Sequence, residues 1–106
     1  MDRRSMLLGV VACRLDSLDK RAKQRHKELT AKLRAAIVDV REEPDGFRFR
    51  LRDEFLRDLS EWITLERKCC SFWRFDVSVE REVELRLSGP PEAKAILAGM
   101  VKQARR

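Results

Sequence analysis

Four residues of this chain carry more chemistry than packing alone requires: the adjacent thiols Cys69 and Cys70, a third thiol at Cys13, and the carboxylate of Glu66. Glu66 precedes the two thiols by three and four residues. On a helix reaching about residue 68, its carboxylate and a thiol therefore share one face. Neighbouring residues point in different directions, so two adjacent cysteines do not both enter one core pocket without cause. The bland alternative is that they are small buried apolar groups, as most free cysteines are. Thiolate is the form that ligates metals or attacks electrophiles, and nearby cations favour it. Arg67, Lys68 and Arg74 supply such cations in sequence. The C-terminal end of a helix acts in the opposite sense, because it presents negative potential. The sequence leaves that contest open.

Cys13 ends an apolar stretch, Met6 to Ala12, just before the first helix. A strand end meeting a helix end is a common way to assemble ligands from distant sequence. If Cys13 approaches Cys69 and Cys70, three thiolates form a soft site. Such a site selects Hg(II), As(III), Cu(I), or Zn(II) with Glu66 or His26 as fourth ligand. There is no C-x-x-C pair to strengthen the metal reading. His26, the single histidine, lies on the apolar stripe of the first helix. It reads first as a boundary histidine and second as a ligand or acid–base group. A different class of function uses Cys69 or Cys70 as the nucleophile of a thiol-dependent enzyme or redox protein. No Gly-rich phosphate loop, Ser-His-Asp set or H-E-x-x-H motif is present to support other chemistries.

Positioning these groups requires helices and strands, and the pattern supplies both. Residues 17–36 predict a long helix with Ser17 as cap and a narrow stripe of Leu18, Ala22, His26, Leu29, Leu33 and Ala36. Two strands follow, 37–41 and 47–51, joined by a Pro44-Asp45-Gly46 turn in which Gly46 is expected in the left-handed position. Residues 54–68 predict a second helix capped by Asp53, with Phe55, Leu56, Leu59, Trp62, Ile63 and Glu66 inward. Strands at 75–79 and 83–87 form a second hairpin. A third helix starts at Pro91 and buries Ala93, Ile96, Leu97, Met100, Val101 and Ala104. The expected fold is α+β: a four-stranded, mostly antiparallel sheet from two ββα units, helices on one face, in the order α-ββ-α-ββ-α. The 106 residues fit one domain.

Charged residues make up 40% of the chain and the net charge is +6, with the excess concentrated in the first helix. A basic face of this kind attracts nucleic acid or acidic partners, so an interaction module is a third functional class; a second copy of the chain is a further candidate partner. The odd count of three cysteines does not fit a secreted disulfide framework, so reduced thiols and a cytoplasmic location are expected. Arg3-Arg4 before the apolar stretch is superficially signal-like, but Arg14 and Asp16 close that stretch at once. No run approaches the roughly 20 apolar residues of a membrane span.

The run Glu66-Arg67-Lys68-Cys69-Cys70-Ser71-Phe72-Trp73-Arg74-Phe75, with Ala12-Cys13-Arg14-Leu15 before it and Leu85 to Lys94 after it, resembles a family of small bacterial proteins. That family carries A-C-x-L, E-x-x-C-C-x-F-x-x-F and L-x-L-x-G-P-x-x-A-K in this order. The resemblance spans nearly the whole chain. It implies that Cys13 belongs to the domain rather than to a cleaved leader, and it implies an association with metal-resistance settings but no particular activity. Ser71 stands where the family often has Pro, and the second hairpin is shorter; neither difference touches the thiols.

Overall fold

The computed structural model describes residues 17–104. Its first helix, α1, is Lys20–Ala36. Asp19 caps it, its side chain accepting from the Ala22 N–H at 2.8 Å and so filling one of the first turn's orphan donors. The sequence predicts Ser17 in that role. Ser17 instead donates its hydroxyl to the Lys68 carbonyl at 2.9 Å, which ties the entry to α1 onto the end of the second helix.

Strands β1 (Ile37–Glu43) and β2 (Gly46–Leu51) form the first hairpin. Glu43 pairs with Gly46 across a two-residue loop. Gly46 is not left-handed: no described glycine has positive φ. It opens β2 as an extended residue opposite Ser88. A Cβ there would lie 1.8 Å from the Leu87 carbonyl oxygen, so glycine is required by close backbone approach rather than by turn conformation. Gly46→Ala is therefore expected to destabilise by about 1–3 kcal/mol through forced backbone movement. Gly99→Ala, on an exposed helix face with nothing within 4 Å of the added carbon, is expected to stabilise by up to about 1 kcal/mol. Denaturant melts of the two variants should move in opposite directions.

A 3₁₀ turn, Asp53–Phe55, precedes helix α2 (Leu56–Cys69). This displaces the predicted Asp53 cap, and Phe55 takes the capping position without a side-chain hydrogen bond. Strands β3 (Arg74–Val79) and β4 (Val83–Ser88) form the second hairpin, and helix α3 (Pro91–Ala104) closes the described chain. The sheet order is β1-β2-β4-β3, antiparallel throughout. This is the α+β arrangement that alternation in the four strands predicts.

One face of the sheet presents Phe47, Phe49, Leu51, Val83, Leu85 and Leu87, all buried against Leu29, Leu33, Leu59, Trp62, Leu97 and Val101 of the helices. The other face is a ladder of ion pairs: Arg48 with Glu43 and Glu84, Arg50 with Glu82, Arg86 with Glu43 and Asp45. Burial departs from the predicted stripes in places. Leu56, Ile96 and Met100 are exposed, whereas Leu65 is buried. The side chain of Ala104, the apolar stretch Met6 to Ala12 and Cys13 lie outside the described residues.

Candidate functional site

The chemistry-bearing residues meet where α1 crosses the last turns of α2. Amphipathic spacing turns His26 inward on α1, between Ala22 and Leu29. The same logic turns Glu66 and Cys69 inward at the end of α2, where both are buried. His26 Nε2 lies 2.7 Å from Glu66 Oε2, although 40 residues separate them in sequence. A ring nitrogen of His26, a carboxylate oxygen of Glu66 and the Cys69 sulfur all lie within 4.8 Å of one another. Nitrogen, oxygen and sulfur donors thus converge at one point on the helix–helix seam.

The seam is held on both sides. Trp62 Nε1 donates to Thr30 Oγ1 at 3.1 Å, and that hydroxyl donates to the His26 carbonyl at 2.8 Å. On the solvent side Arg25 forks onto Glu61 at 2.8 and 2.9 Å. This bidentate geometry is directional as well as attractive. Trp62 also meets Phe75 edge to face, with ring centroids 6.1 Å apart. Phe72 and Trp73 pack on each other, half-buried.

Electrostatics settles the contest that the sequence leaves open. The Cys69 thiol is pushed up to about 11, by burial first and by the charge of Glu66 second. Both disfavour thiolate, and the exposed Arg67 and Lys68 do not offset them. Cys69 is consequently a poor nucleophile at neutral pH. Its alkylation by iodoacetamide at pH 7 is expected to run at least about a hundredfold slower than that of free cysteine; mass spectrometry of the peptide containing residue 69 would show it, and a rate matching free cysteine would contradict the assignment. The stability consequence has a definite sign. A thiol whose folded pKa is raised contributes stability below its unfolded value, and that contribution disappears as pH climbs from about 9 towards 11.

Cys70 ends α2 as its cap residue, donating its N–H to the Glu66 carbonyl at 2.7 Å. Its sulfur is 3.7 Å from that of Cys69. Cys69 is a free thiol, but Cys70 is disulfide-bonded. At Cys70 this departs from the reduced thiol the sequence predicts. Cys13, the third predicted thiol ligand, lies outside the described residues.

Of the predicted residues, Glu66 and Cys69 converge with His26, which the sequence offers only as an alternative fourth ligand, and the Cys70 sulfur lies beside that of Cys69. The signal for His26 is visible afterwards: a polar ring on an otherwise Leu/Ala stripe must find a buried partner, and Glu66 is a carboxylate on another inward face with the same need. The apolar cavity of about 80 Å³ beside the seam, lined by Thr30, Trp62, Leu33, Phe49, Leu85 and Leu97 among others, has no thiol, imidazole or carboxylate in its lining. No family model, no curated protein and no solved structure matches the chain.

Proposed function

We propose that this protein binds one soft or borderline metal or metalloid ion, of the class Hg(II), As(III), Cu(I) or Zn(II). Cys69 and Cys70 supply sulfur, His26 and Glu66 complete the donor set, and Cys13 is a further thiolate available to the softer ions. The observation that carries the reading is the convergence of His26, Glu66 and Cys69 within 4.8 Å at a buried seam. The sulfur spacing supports it as well. Two sulfurs bound to one ion at about 2.3 Å in tetrahedral geometry stand about 3.8 Å apart, and Cys69 and Cys70 stand at 3.7 Å. The resemblance to the E-x-x-C-C family, with its metal-resistance setting, points the same way.

The reading requires the Cys70 disulfide to be opened by a two-electron thiol reductant. Reduced thiols persist in a cytoplasmic environment, and no described helix is long and apolar enough to cross a membrane. A buried thiol with a raised pKa is no obstacle to an ion, which takes the proton's place. Binding is then expected to release at least one proton, and the apparent affinity should climb about tenfold per pH unit per proton released below pH 9. Calorimetry of Zn(II) binding in buffers of differing ionisation enthalpy measures the proton count. A count of zero would exclude Cys69 as a ligand.

A thiol-redox role is the second reading, favoured by the disulfide at Cys70 beside the free Cys69. It predicts a reduction potential near those of cellular dithiol carriers, about −200 to −280 mV, whereas a structural disulfide lies below about −300 mV. Equilibration against a glutathione or dithiothreitol redox series separates the two. The raised pKa of Cys69 weighs against that residue as the attacking group.

A further inference from the structure

Some cations of this molecule are paired with carboxylates, and others, scattered singly as at Arg52, Arg57 and Arg81 or gathered on α1, are exposed. On the sheet Arg48, Arg50 and Arg86 are neutralised, and Lys94 of α3 pairs with Glu42. On α1, Arg25 and Lys32 turn towards α2 and pair with Glu61 and Asp58. The single acid of that helix, Glu28, is taken up by Arg25 and Gln24. Lys20, Arg21, Lys23, Lys27 and Arg34 differ. All five are exposed, and none has a carboxylate partner among the described residues; Arg21 lies round the helix from the other four.

Spacings of three, four and seven residues place Lys20, Lys23, Lys27 and Arg34 on one stripe of α1, running about 21 Å along the axis. The stripe lies away from the face that buries Leu29, Leu33 and Ala36, and the position between Lys27 and Arg34 is filled by the small, exposed Ala31. Four unneutralised cations in a row on one helix are complementary to a line of phosphates.

We infer that this stripe is a sequence-independent binding surface for duplex DNA. The helix itself discriminates between polyanions. Membrane insertion needs an exposed apolar face beside the cations, and the apolar face of α1 is in the core. Single strands are held by exposed aromatic platforms, and α1 has no aromatic residue. The deep, narrow major groove of duplex RNA does not admit a helix. The major groove of B-DNA, about 12 Å wide, admits one of about 10–12 Å diameter. Lysine point charges meet phosphate oxygens and carry no base readout.

The test is fluorescence anisotropy of a mixed-sequence DNA duplex of about 20 base pairs with the full reduced chain, across 50–200 mM salt. Four phosphate contacts predict a slope of log affinity against log salt of about −3.6, hence a loss of about a hundredfold over that range. The variant Lys20→Gln/Lys23→Gln/Lys27→Gln/Arg34→Gln should abolish binding with an unchanged circular dichroism spectrum, since none of the four side chains enters the core. Arg50→Gln, on the neutralised face, should bind as the parent does. No binding at 50 mM salt, a slope that survives the quadruple substitution, or tighter binding to single strands, duplex RNA or phosphatidylserine vesicles would each overturn the inference. None of these outcomes bears on the thiol site.

Discussion

Reduced protein is expected to take up one equivalent of Hg(II) or Zn(II) per chain, and Cys69→Ser to weaken that uptake by more than roughly a hundredfold. Removing even an outer-shell partner of a bound metal lowers affinity by about 10–100-fold, and Cys69 is proposed as a direct ligand. It is the free, buried sulfur closest to the His26–Glu66 pair. Serine keeps nearly the same shape but replaces a polarisable thiolate by an alcohol that ionises far less readily, so a loss reports ligation rather than packing. Cys70→Ser should behave similarly, because its sulfur stands at the spacing of a second ligand. His26→Ala and Glu66→Gln should have smaller effects on Hg(II) than on Zn(II), since mercury is satisfied by sulfur whereas zinc uses nitrogen and oxygen donors as well. Protein left oxidised at Cys70 should bind either ion more weakly than reduced protein. Competitive titration against a chromogenic chelator measures all of these. Unchanged stoichiometric binding in Cys69→Ser would remove the residue from the site.

Trp62→Ala is expected to lower stability by about 3–5 kcal/mol, the range for truncating a large buried aromatic. A domain of this size has about 5–15 kcal/mol in total, so the variant should be marginal at 25 °C. The indole is 4% exposed, contacts Phe75, and donates to Thr30, which in turn holds the His26 carbonyl. Its loss leaves a cavity and an orphaned hydroxyl chain in the seam that carries the site. Trp62→Phe retains much of the volume and forfeits chiefly the hydrogen bond, for about 1–2 kcal/mol. Chemical denaturation of the pair should therefore be graded. A loss below about 1 kcal/mol for Trp62→Ala would mean that the two helices are held elsewhere.

The order of elements was readable because local rules govern it. Phe47-Arg48-Phe49-Arg50-Leu51 and Val83 to Leu87 alternate strictly, and the sheet buries one side of each while the other forms the Arg–Glu ladder. What local rules could not reach were matters of closure. Ser17 and Asp19 are both good caps, and the choice turns on Ser17 finding the Lys68 carbonyl 51 residues away. Gly46 was legible as necessary but for the wrong reason, since its neighbour Leu87 belongs to a strand not contiguous with it. Ile96 and Met100 have helix-face periodicity, yet are exposed, since periodicity alone does not set how much of a helix's apolar arc the sheet covers.

The site divides in the same way. Glu66 beneath Cys69 follows from helix spacing alone. The His26–Glu66 contact joins two helices and is a tertiary fact, as is the disulfide at Cys70. The direction of the Cys69 shift was undecidable from neighbouring charges because burial dominates it.

Sulfur from the vicinal cysteines and an imidazole are proposed to converge on one ion. X-ray absorption spectroscopy of reduced protein loaded with one equivalent of Zn(II) addresses it directly. At least two sulfurs near 2.3 Å are expected, with nitrogen or oxygen at about 2.0–2.1 Å including an imidazole scattering pattern. A shell of oxygen and nitrogen alone, with no sulfur, would contradict it.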